Sequence, residues 1–457
     1  MMNNLRLFLN TVFWMTLLST LLLAGCDPDS VRDNDDDPEN GIVPAQTFGG
    51  SGQDFGEKII QTSDGGYLIV GSTTSSDGDF SGLDVRNESI LTIKLNSNRE
   101  VDWIKTLGGS GRERATDIIE DISGNFVITG YTHSNDGIFE DLSRGGSDVF
   151  LIKLSPDGEL MWTRIFGGSD EDMAHALIQA ANNDYIIAGT TSSTDFNFMN
   201  RFNTSRDAFL IATNLNGQLN WVLPFGGSSD DEALGLTGTL GNSIITTGTY
   251  RSTDGIFFGA NPGQAGIFVH ETDPQSGRTI SIFTFEGEGT DIANDITLLN
   301  DGSFAVTGRS NSNSGLFDGM NRGGFDAFVM RLNFNLTTSW ITSVGGTMND
   351  EAHSVIQTAG NQLLIAGQTE SSDEDFDGQS TNGSNLFLAL LNSSGSLEWI
   401  KSNGGSNSDA ARSVTETNSG DFAVTGWTRS TDGLFEGNTG SQESIFFLLT
   451  DSDGIIK

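Results

Sequence analysis

The amino-acid sequence predicts an all-β protein built from seven copies of one unit. An acidic residue recurs every 59 or 60 residues, and a Gly, a Ser and a Phe follow it in every copy. Periods of this size indicate an array of supersecondary units, each unable to bury its apolar face alone. The acidic position is occupied by Asp54, Glu113, Asp172, Asp231, Asp291, Asp350 and Asp409.

Each unit is predicted to contain four short strands. In the second unit, β-type runs lie at 117–120, 126–129, 149–154 and 160–165, with Gly-containing turns after the first and the third. Four antiparallel strands repeated radially are typical of a β-propeller. We therefore predict a seven-bladed β-propeller of four-stranded antiparallel blades over residues 41–457. Its repeats start near 48, 107, 166, 225, 285, 344 and 403. The alternative, an open β-solenoid, has shorter coils.

The two ends of the chain are predicted to share one blade. A Trp marks the fourth strand in five units, and the chain ends one residue before that position in the last unit. Counting back from Phe48, Pro44 holds the same position in the segment 42–47. We expect this N-terminal segment to form the outermost strand of the last blade, where Pro is tolerated and a free sheet edge is removed.

The recurring residues are interpreted as structural. A ring of seven carboxylates could suggest a metal site, but a carboxylate just after a Gly-Gly crossover can also accept backbone N–H bonds from that loop. The recurring Gly is expected at the end of the second strand, where a Cβ would obstruct a turn or a neighbouring backbone. The phrase Ser75-Ser76-Asp77-Gly78-Asp79-Phe80 is expected to form an Asx turn held by a buried Phe.

The N-terminal region predicts export. Arg6 and the apolar run 7–23 are typical of a secretory signal, here residues 1–25. The ending Leu23-Ala24-Gly25-Cys26 resembles the lipobox of bacterial lipoproteins, and this resemblance implies lipidation of Cys26. An uncleaved membrane anchor is the alternative. Residues 26–40 are so acidic that we expect a disordered tether. The expected location is the cell envelope, at the outer membrane or the cell surface, with membrane contact only through the lipid.

Composition excludes some partners. The chain has 23 basic and 61 acidic residues, a net charge of −38. Such a chain is repelled by nucleic acids and by anionic membrane surfaces. Solubility is the simplest explanation of this charge. A more specific interpretation is Ca²⁺ binding by oxygen ligands, and Ca²⁺ is the only cofactor that we expect from the sequence.

Candidate functional residues lie where the repeat is broken. The sequence contains no recognisable nucleophile motif, phosphate loop or Cys/His metal spacing. His175 and His353 belong to the third and sixth units and should face each other across the ring, too far apart for one metal. Tyr131 and Trp427 could stack on sugar rings, and the extra aromatics around Phe196 could form a partner patch. The candidate ligand-binding residues are Glu57, Lys58, Asp117, Tyr131, His175, Asn294, His353, Arg412 and Trp427.

Phrases such as Phe166-Gly167-Gly168-Ser169 and Asp64-Gly65-Gly66-Tyr67 resemble the repeats of about 60 residues found in SBBP-like propellers of exported Bacteroidota proteins. The resemblance implies the fold and export. We expect a monomeric module that binds a protein or a glycan. The alternative is a glycan-cleaving or quinone-dependent enzyme with its site at the channel mouth. An acid, a base and Arg groups in mutual reach there would favour the enzyme; a smooth polar channel and an exposed aromatic patch would favour binding.

Overall fold

The computed structural model describes residues 45–199, 201, 205–379 and 383–457. The predicted signal peptide, Cys26, the acidic tether and Pro44 lie outside the described residues. Within the described part, no helix is long and apolar enough to cross a membrane.

The described chain forms seven four-stranded antiparallel sheets. A one-turn 3-10 helix follows the second strand of each sheet, at Gly78–Phe80, Gly137–Phe139, Phe196–Phe198, Gly255–Phe257, Gly315–Phe317, Glu374–Phe376 and Gly433–Phe435. The strands are β1 (Gln46–Phe48), β2 (Asp54–Gln61), β3 (Tyr67–Thr73), β4 (Ser89–Leu95), β5 (Val101–Leu107), β6 (Glu113–Glu120), β7 (Phe126–Thr132), β8 (Asp148–Leu154), β9 (Leu160–Phe166), β10 (Asp172–Gln179), β11 (Tyr185–Thr191), β12 (Asp207–Thr213), β13 (Leu219–Phe225), β14 (Asp231–Gly238), β15 (Ile244–Tyr250), β16 (Gly266–Thr272), β17 (Thr279–Phe285), β18 (Asp291–Leu298), β19 (Phe304–Ser310), β20 (Asp326–Leu332), β21 (Thr338–Val344), β22 (Asp350–Gln357), β23 (Leu363–Thr369), β24 (Asn385–Leu391), β25 (Leu397–Asn403), β26 (Asp409–Glu416), β27 (Phe422–Thr428) and β28 (Ser444–Thr450).

These sheets are the blades of a seven-bladed β-propeller, as predicted. Blades 1 to 6 each use four consecutive strands, starting from β2, β6, β10, β14, β18 and β22. Blade 7 contains β26, β27 and β28, and β1 is its fourth strand. β1 pairs antiparallel with β28, with Gln46 opposite Phe447 and Phe48 opposite Ile445. The predicted closure by the N-terminal segment is confirmed, and the solenoid alternative is wrong. The core lies between neighbouring blades, where each apolar cluster draws residues from adjacent sheets.

The first strand of every blade carries a β-bulge. In blade 1 the pairing shifts between Gly56 and Lys58, so Glu57 has no partner on β3. The recurring Gly lies opposite this bulge, within the second strand and not at its end as the sequence suggested. A Cβ on Gly71 would lie 1.8 Å from the carbonyl oxygen of Phe55, so the neighbouring backbone excludes any side chain there. A bulge redirects side chains, and here it turns two consecutive residues toward the axis.

The recurring acid fastens each crossover loop, as the structural interpretation predicted. Asp231 is fully buried and accepts bonds from the Gly227 amide at 2.9 Å and the Ser252 hydroxyl at 2.7 Å. The Asp of the Ser-x-Asp-Gly-x-Phe phrase acts over a longer range than an Asx turn. In blade 1, Asp77 Oδ1 accepts a hydrogen bond from the amide of Ser51, which lies in the crossover loop leading into that blade, at 2.7 Å. The closing Phe of the phrase is buried, as expected for Phe80.

Candidate ligand site in the central channel

The first strands of all seven blades line one cavity on the axis, with a volume of about 380 Å³. Ligand pockets measure about 300–1,000 Å³, so a small ligand fits. The lining brings together seven of the nine predicted residues, which are Glu57, Lys58, Asp117, His175, Asn294, His353 and Arg412. Their placement at the channel agrees with the prediction, while their role in binding stays a prediction.

One side of the channel is held by arginine–carboxylate pairs. Glu57 of blade 1 accepts bonds from the guanidinium of Arg114 in blade 2, one of them 3.0 Å long from Nε. Burial by itself would raise the pKa of Glu57, but the charges of Arg114 and Arg412 outweigh it and hold the pKa below its usual range. Glu57 is therefore a carboxylate at neutral pH, already shared between two cations.

Blades 5, 6 and 7 continue this network. Glu351 accepts bonds from Arg309 at 2.9 Å and from the Asn294 amide at 3.0 Å, and its carboxylate lies 3.8 Å from the ring of His353. Arg412 approaches the same ring to 3.2 Å. Burial and the nearby Arg412 charge lower the pKa of His353 to about 4. The imidazole is therefore neutral at pH 7 and can accept a proton or a hydrogen bond.

Lys58 lies between two carboxylates deeper in the channel. Its amine is 3.7 Å from Asp117, and its charge also stabilises the charge of Asp295. Each Asp also bonds the next blade: Asp117 accepts the Leu177 amide at 2.7 Å, and Asp295 accepts the Val355 amide at 2.9 Å. Burial raises the pKa of both Asp117 and Asp295. These residues therefore join neighbouring blades as well as lining the channel.

The opposite side of the channel, from blades 3 and 4, is mainly apolar. Leu234 and Leu236 of β14 and Ala176 and Leu177 of β10 line the cavity there. The exceptions are Thr237 and His175, and burial lowers the pKa of His175 to about 4. The channel is thus amphipathic, with a charged side and an apolar side.

The charges on the polar side balance. Four carboxylates, Glu57, Asp117, Asp295 and Glu351, face four cations, Lys58, Arg114, Arg309 and Arg412. This neutrality contrasts with the net charge of −38 on the whole chain. Arg114, Arg309 and Glu351 lie outside the cavity lining, and Arg412 forms no ion pair among the described residues. The summed charge of the network, and not the pairing of each group, therefore favours a polar ligand without net charge. In the part of the chain that the structure describes, no group of three His, Cys, Asp or Glu side chains could hold a metal ion.

Tyr131 and Trp427 lie outside the lining of this cavity. They follow the recurring Gly on second strands and are half-buried. Trp427 packs edge-on against Phe55 with ring centroids 6.3 Å apart, and Phe55 in turn lies under the guanidinium of Arg114 at 4.7 Å. Much of the Trp427 ring is therefore used in packing.

Sequence reasoning missed three members of the network: Arg114, Arg309 and Glu351. Arg114 and Glu351 directly follow the recurring acid, a position that varies from blade to blade as the chosen positions do. Arg309 shares its repeat position with Tyr131 and Trp427. Variation within the repeat was the signal that could have found all three.

The aromatic patch predicted in the third unit is partly present. Phe196 is 53% exposed and Met199 is 65% exposed, whereas Phe198 is buried. Arg144 of blade 2 lies over the Phe196 ring at 5.3 Å. In the corresponding loop of blade 4, Phe258 is 88% exposed. The cluster of acid, base and Arg groups, expected for an enzyme, and the exposed aromatic residues, expected for a binding module, therefore occur in one molecule, while the channel is charged on one side and apolar on the other instead of smoothly polar.

Comparison with known proteins identifies no family for this chain and gives only distant structural likenesses. No family model matches the sequence, and no curated protein matches it. Similar solved structures include the extracellular domain of BT4673 from B. thetaiotaomicron, described as a hybrid two-component system (10% identity, TM-score 0.47). This chain is covered to 90% in that alignment but spans only 43% of the other chain. Chaetomium thermophilum Sqt1, solved with the N-terminus of ribosomal protein L10, is 11% identical (TM-score 0.45), with 89% of this chain and 99% of that chain covered. The WD40 domain of Neurospora crassa Pan2 is 9% identical (TM-score 0.43), with 87% and 89% covered.

Proposed function

We propose that this chain is an exported, lipid-anchored β-propeller that binds a glycan in its central channel at the cell envelope. The observation that carries the proposal is the convergence on one cavity of residues that depart from the sevenfold repeat. Positions that only hold the fold repeat in every blade, whereas Glu57, Asn294, His353 and Arg412 share one position and differ from each other. The Cys26 motif supports the anchor.

A neutral saccharide fits the balanced charges. Its hydroxyls can donate to Glu57 or to Asn294 Oδ1 and accept from Arg412, whose Nε has no hydrogen-bond partner among the described residues. Its C–H faces can contact the apolar side of blades 3 and 4. Polar groups fix the orientation of a ligand and apolar surface supplies much of its affinity. A free anion or cation would instead have to compete with an ion pair already made.

The proposal is tested with the full chain on an array of neutral and acidic oligosaccharides, followed by calorimetric titration of the best-retained glycan. Leu234→Trp fills the apolar side of the channel without touching a charge, and we expect it to weaken binding at least tenfold. Leu240→Trp is the matched control, since Leu240 belongs to the same blade but is 71% exposed on a turn. Equal affinity in both variants would refute the channel as the binding site.

A second candidate function is glycan cleavage. It is favoured by the contact of Glu351, His353 and Arg412, in which the neutral His353 could serve as a general base. Product analysis of each retained glycan separates the two functions. Turnover that is lost in His353→Ala while binding persists would establish the enzyme, and retention without any cleavage products would leave the binding role.

A further inference from the structure

A second set of acidic residues lies beneath the crossovers between blades. The first residue of each third strand packs against the recurring acid of the next blade. In three blades it is itself an acid, so that two carboxyl groups meet under one crossover. The seven residues are Ser89, Asp148, Asp207, Gly266, Asp326, Asn385 and Ser444.

At the junction of blades 2 and 3, the two carboxyl groups belong to Asp148 and Asp172. Both side chains are completely buried. Both carboxyl groups lie against Gly167. A Cβ on Gly167 would be 1.8 Å from Asp148 Oδ1 and 3.0 Å from Asp172 Oδ2. One oxygen of Asp148 is well bonded: Oδ2 accepts the Arg144 amide at 2.7 Å and the Ser143 hydroxyl at 2.9 Å. Its other oxygen, Oδ1, has no hydrogen-bond partner among the described residues.

The junction of blades 5 and 6 repeats this arrangement. Asp326 Oδ2 accepts the Arg322 amide at 2.7 Å, and its buried Oδ1 again has no partner within the described chain. Its neighbour Asp350 accepts bonds from the Gly346 amide and from the Ser371 hydroxyl, each at 2.8 Å. Two separate junctions thus leave the same oxygen without a donor.

The charged groups around each pair do not supply that donor. The guanidinium of Arg144 bonds the Gly167 carbonyl and Asn197, and that of Arg322 bonds the Gly345 carbonyl and Asp375. On the neighbouring blade, Glu171 accepts the Ser147 hydroxyl beside the first pair, and the charge of Asp375 adds repulsion at the second.

The junction of blades 3 and 4 is a contrast built into the same molecule. Asp207 lies beside Asp231, but the guanidinium of Arg201 bonds Asp207 Oδ2 at 2.8 Å. Both partners are almost wholly buried, with side-chain exposures of 4% for Arg201 and 6% for Asp207. Here a cation bonds the second carboxyl group and lowers its pKa, although burial and the charge of Asp231 still keep that pKa raised, at about 6. At the other two junctions, the guanidinium groups of Arg144 and Arg322 bond other partners, so a proton can compensate the second carboxyl group instead.

We propose that Asp148 and Asp326 each bind a proton in the folded protein, so that each pair consists of one carboxylic acid and one carboxylate. Two buried carboxylates side by side cannot both remain ionised at low cost. A buried oxygen without a donor is also costly, and protonation turns it into a donor toward the neighbouring carboxylate. A metal ion is disfavoured because each pair offers only two carboxyl groups, and among the described residues no group of three His, Cys, Asp or Glu side chains could hold one.

The residue at this position in blade 6 supports this occupant. At the junction of blades 6 and 7 the residue is Asn385, and a Cβ on Gly404 would lie 2.5 Å from its Oδ1 and 2.6 Å from Asp409 Oδ2. An Asn has nearly the shape of a protonated Asp and carries no charge, although here the amide oxygen, and not the NH₂ group, lies nearest Gly404. The chain thus already uses a neutral isostere at an equivalent site.

The proton makes these junctions sensitive to pH. Burial, with the repulsion of Asp350 and Asp375 added, raises the pKa of Asp326 to about 6. Burial raises the pKa of Asp148, and burial raises that of Asp172 to about 6, so this pair holds one proton between its two carboxyl groups. A proton held in the folded state but released on unfolding stabilises the fold fully below about pH 4, the unfolded value. That stabilisation is lost as the pH rises toward 6.

The test is equilibrium urea unfolding of the full chain, followed by tryptophan fluorescence between pH 4 and 8. Between pH 4 and 6, each proton that the folded state holds and the unfolded state releases makes the unfolding constant rise with pH, by up to about tenfold per pH unit. In Asp148→Asn and in Asp326→Asn, we expect the unfolding constant to rise less steeply with pH, by up to a factor of about ten per pH unit. Each variant should match or exceed the wild-type stability at pH 8. Asn385→Asp should add a dependence of the same size, and it serves if an Asp variant fails to fold.

Two results would overturn the proposal. The first is an unchanged pH dependence in both Asn variants, with loss of stability at every pH, which would mean that the carboxylates are ionised. The second is a rise in the wild-type midpoint on adding Ca²⁺ that Asp148→Asn abolishes, because a cation would then occupy the place of the proton.

Discussion

The substitution Asp231→Ala tests whether the recurring carboxylates hold the crossovers. The side chain of Asp231 is fully buried and accepts four hydrogen bonds. The amides of Gly227, Arg251 and Ser252 donate at 2.9, 3.0 and 3.2 Å, and the Ser252 hydroxyl donates at 2.7 Å. Alanine would leave all four donors without this acceptor, at the point where blade 4 joins blade 3.

The size of the effect follows from these bonds. A buried hydrogen bond contributes about 1 kcal/mol net, so four lost bonds amount to about 4 kcal/mol. Part of this loss is offset, because burial raises the pKa of Asp231, which means that the ionised form is held at some cost. We therefore expect the free energy of unfolding to fall by about 3 kcal/mol at pH 7.

Urea unfolding of the full chain measures this loss, with Asp170→Ala as the control. Asp170 lies in the crossover loop of blade 3 and its side chain is exposed, so its truncation should change stability by less than about 0.5 kcal/mol. A loss below 1 kcal/mol in Asp231→Ala would refute the reasoning, since the carboxylate would then not be holding the loop.

Three further predictions concern the fold and the channel. Gly189→Ala should cost about 1–3 kcal/mol in a thermal melt, because its Cβ would lie 2.1 Å from the Met173 carbonyl oxygen; Gly238→Ala, with open space around it, should be neutral. Glu57→Gln should cost about 3 kcal/mol, since Arg114 would lose its buried counter-charge, and urea unfolding checks this. Removing residues up to Phe48 deletes β1 and opens the edge of β28, so size-exclusion chromatography should show association.

The sequence was sufficient to predict the architecture because the repeat gives its own register. The missing Trp position at the C-terminus and the segment around Pro44 were enough to predict that β1 completes blade 7. Period and turn signals fix the number of strands in each unit. These features depend on residues close together in the sequence, so local patterns determine them.

The site could be predicted only in part. The channel position of Glu57, His353 and Arg412 followed from the first strand lying nearest the axis. The ion pairs did not follow, because Arg114 meets Glu57 and Arg309 meets Glu351 from neighbouring blades, and sequence spacing does not report a contact between blades. The β-bulge, which determines the side chains that face the channel, also leaves no mark in the sequence beyond the Gly opposite it.

The most direct test of the channel as the binding site is a crystal structure of the full chain grown with the oligosaccharide that the array retains best. The account predicts density for the sugar on the axis, within hydrogen-bond distance of Arg412 or Asn294 and in contact with Leu234. Density on the exposed loops at Phe196 and Phe258, with an empty channel, would contradict it.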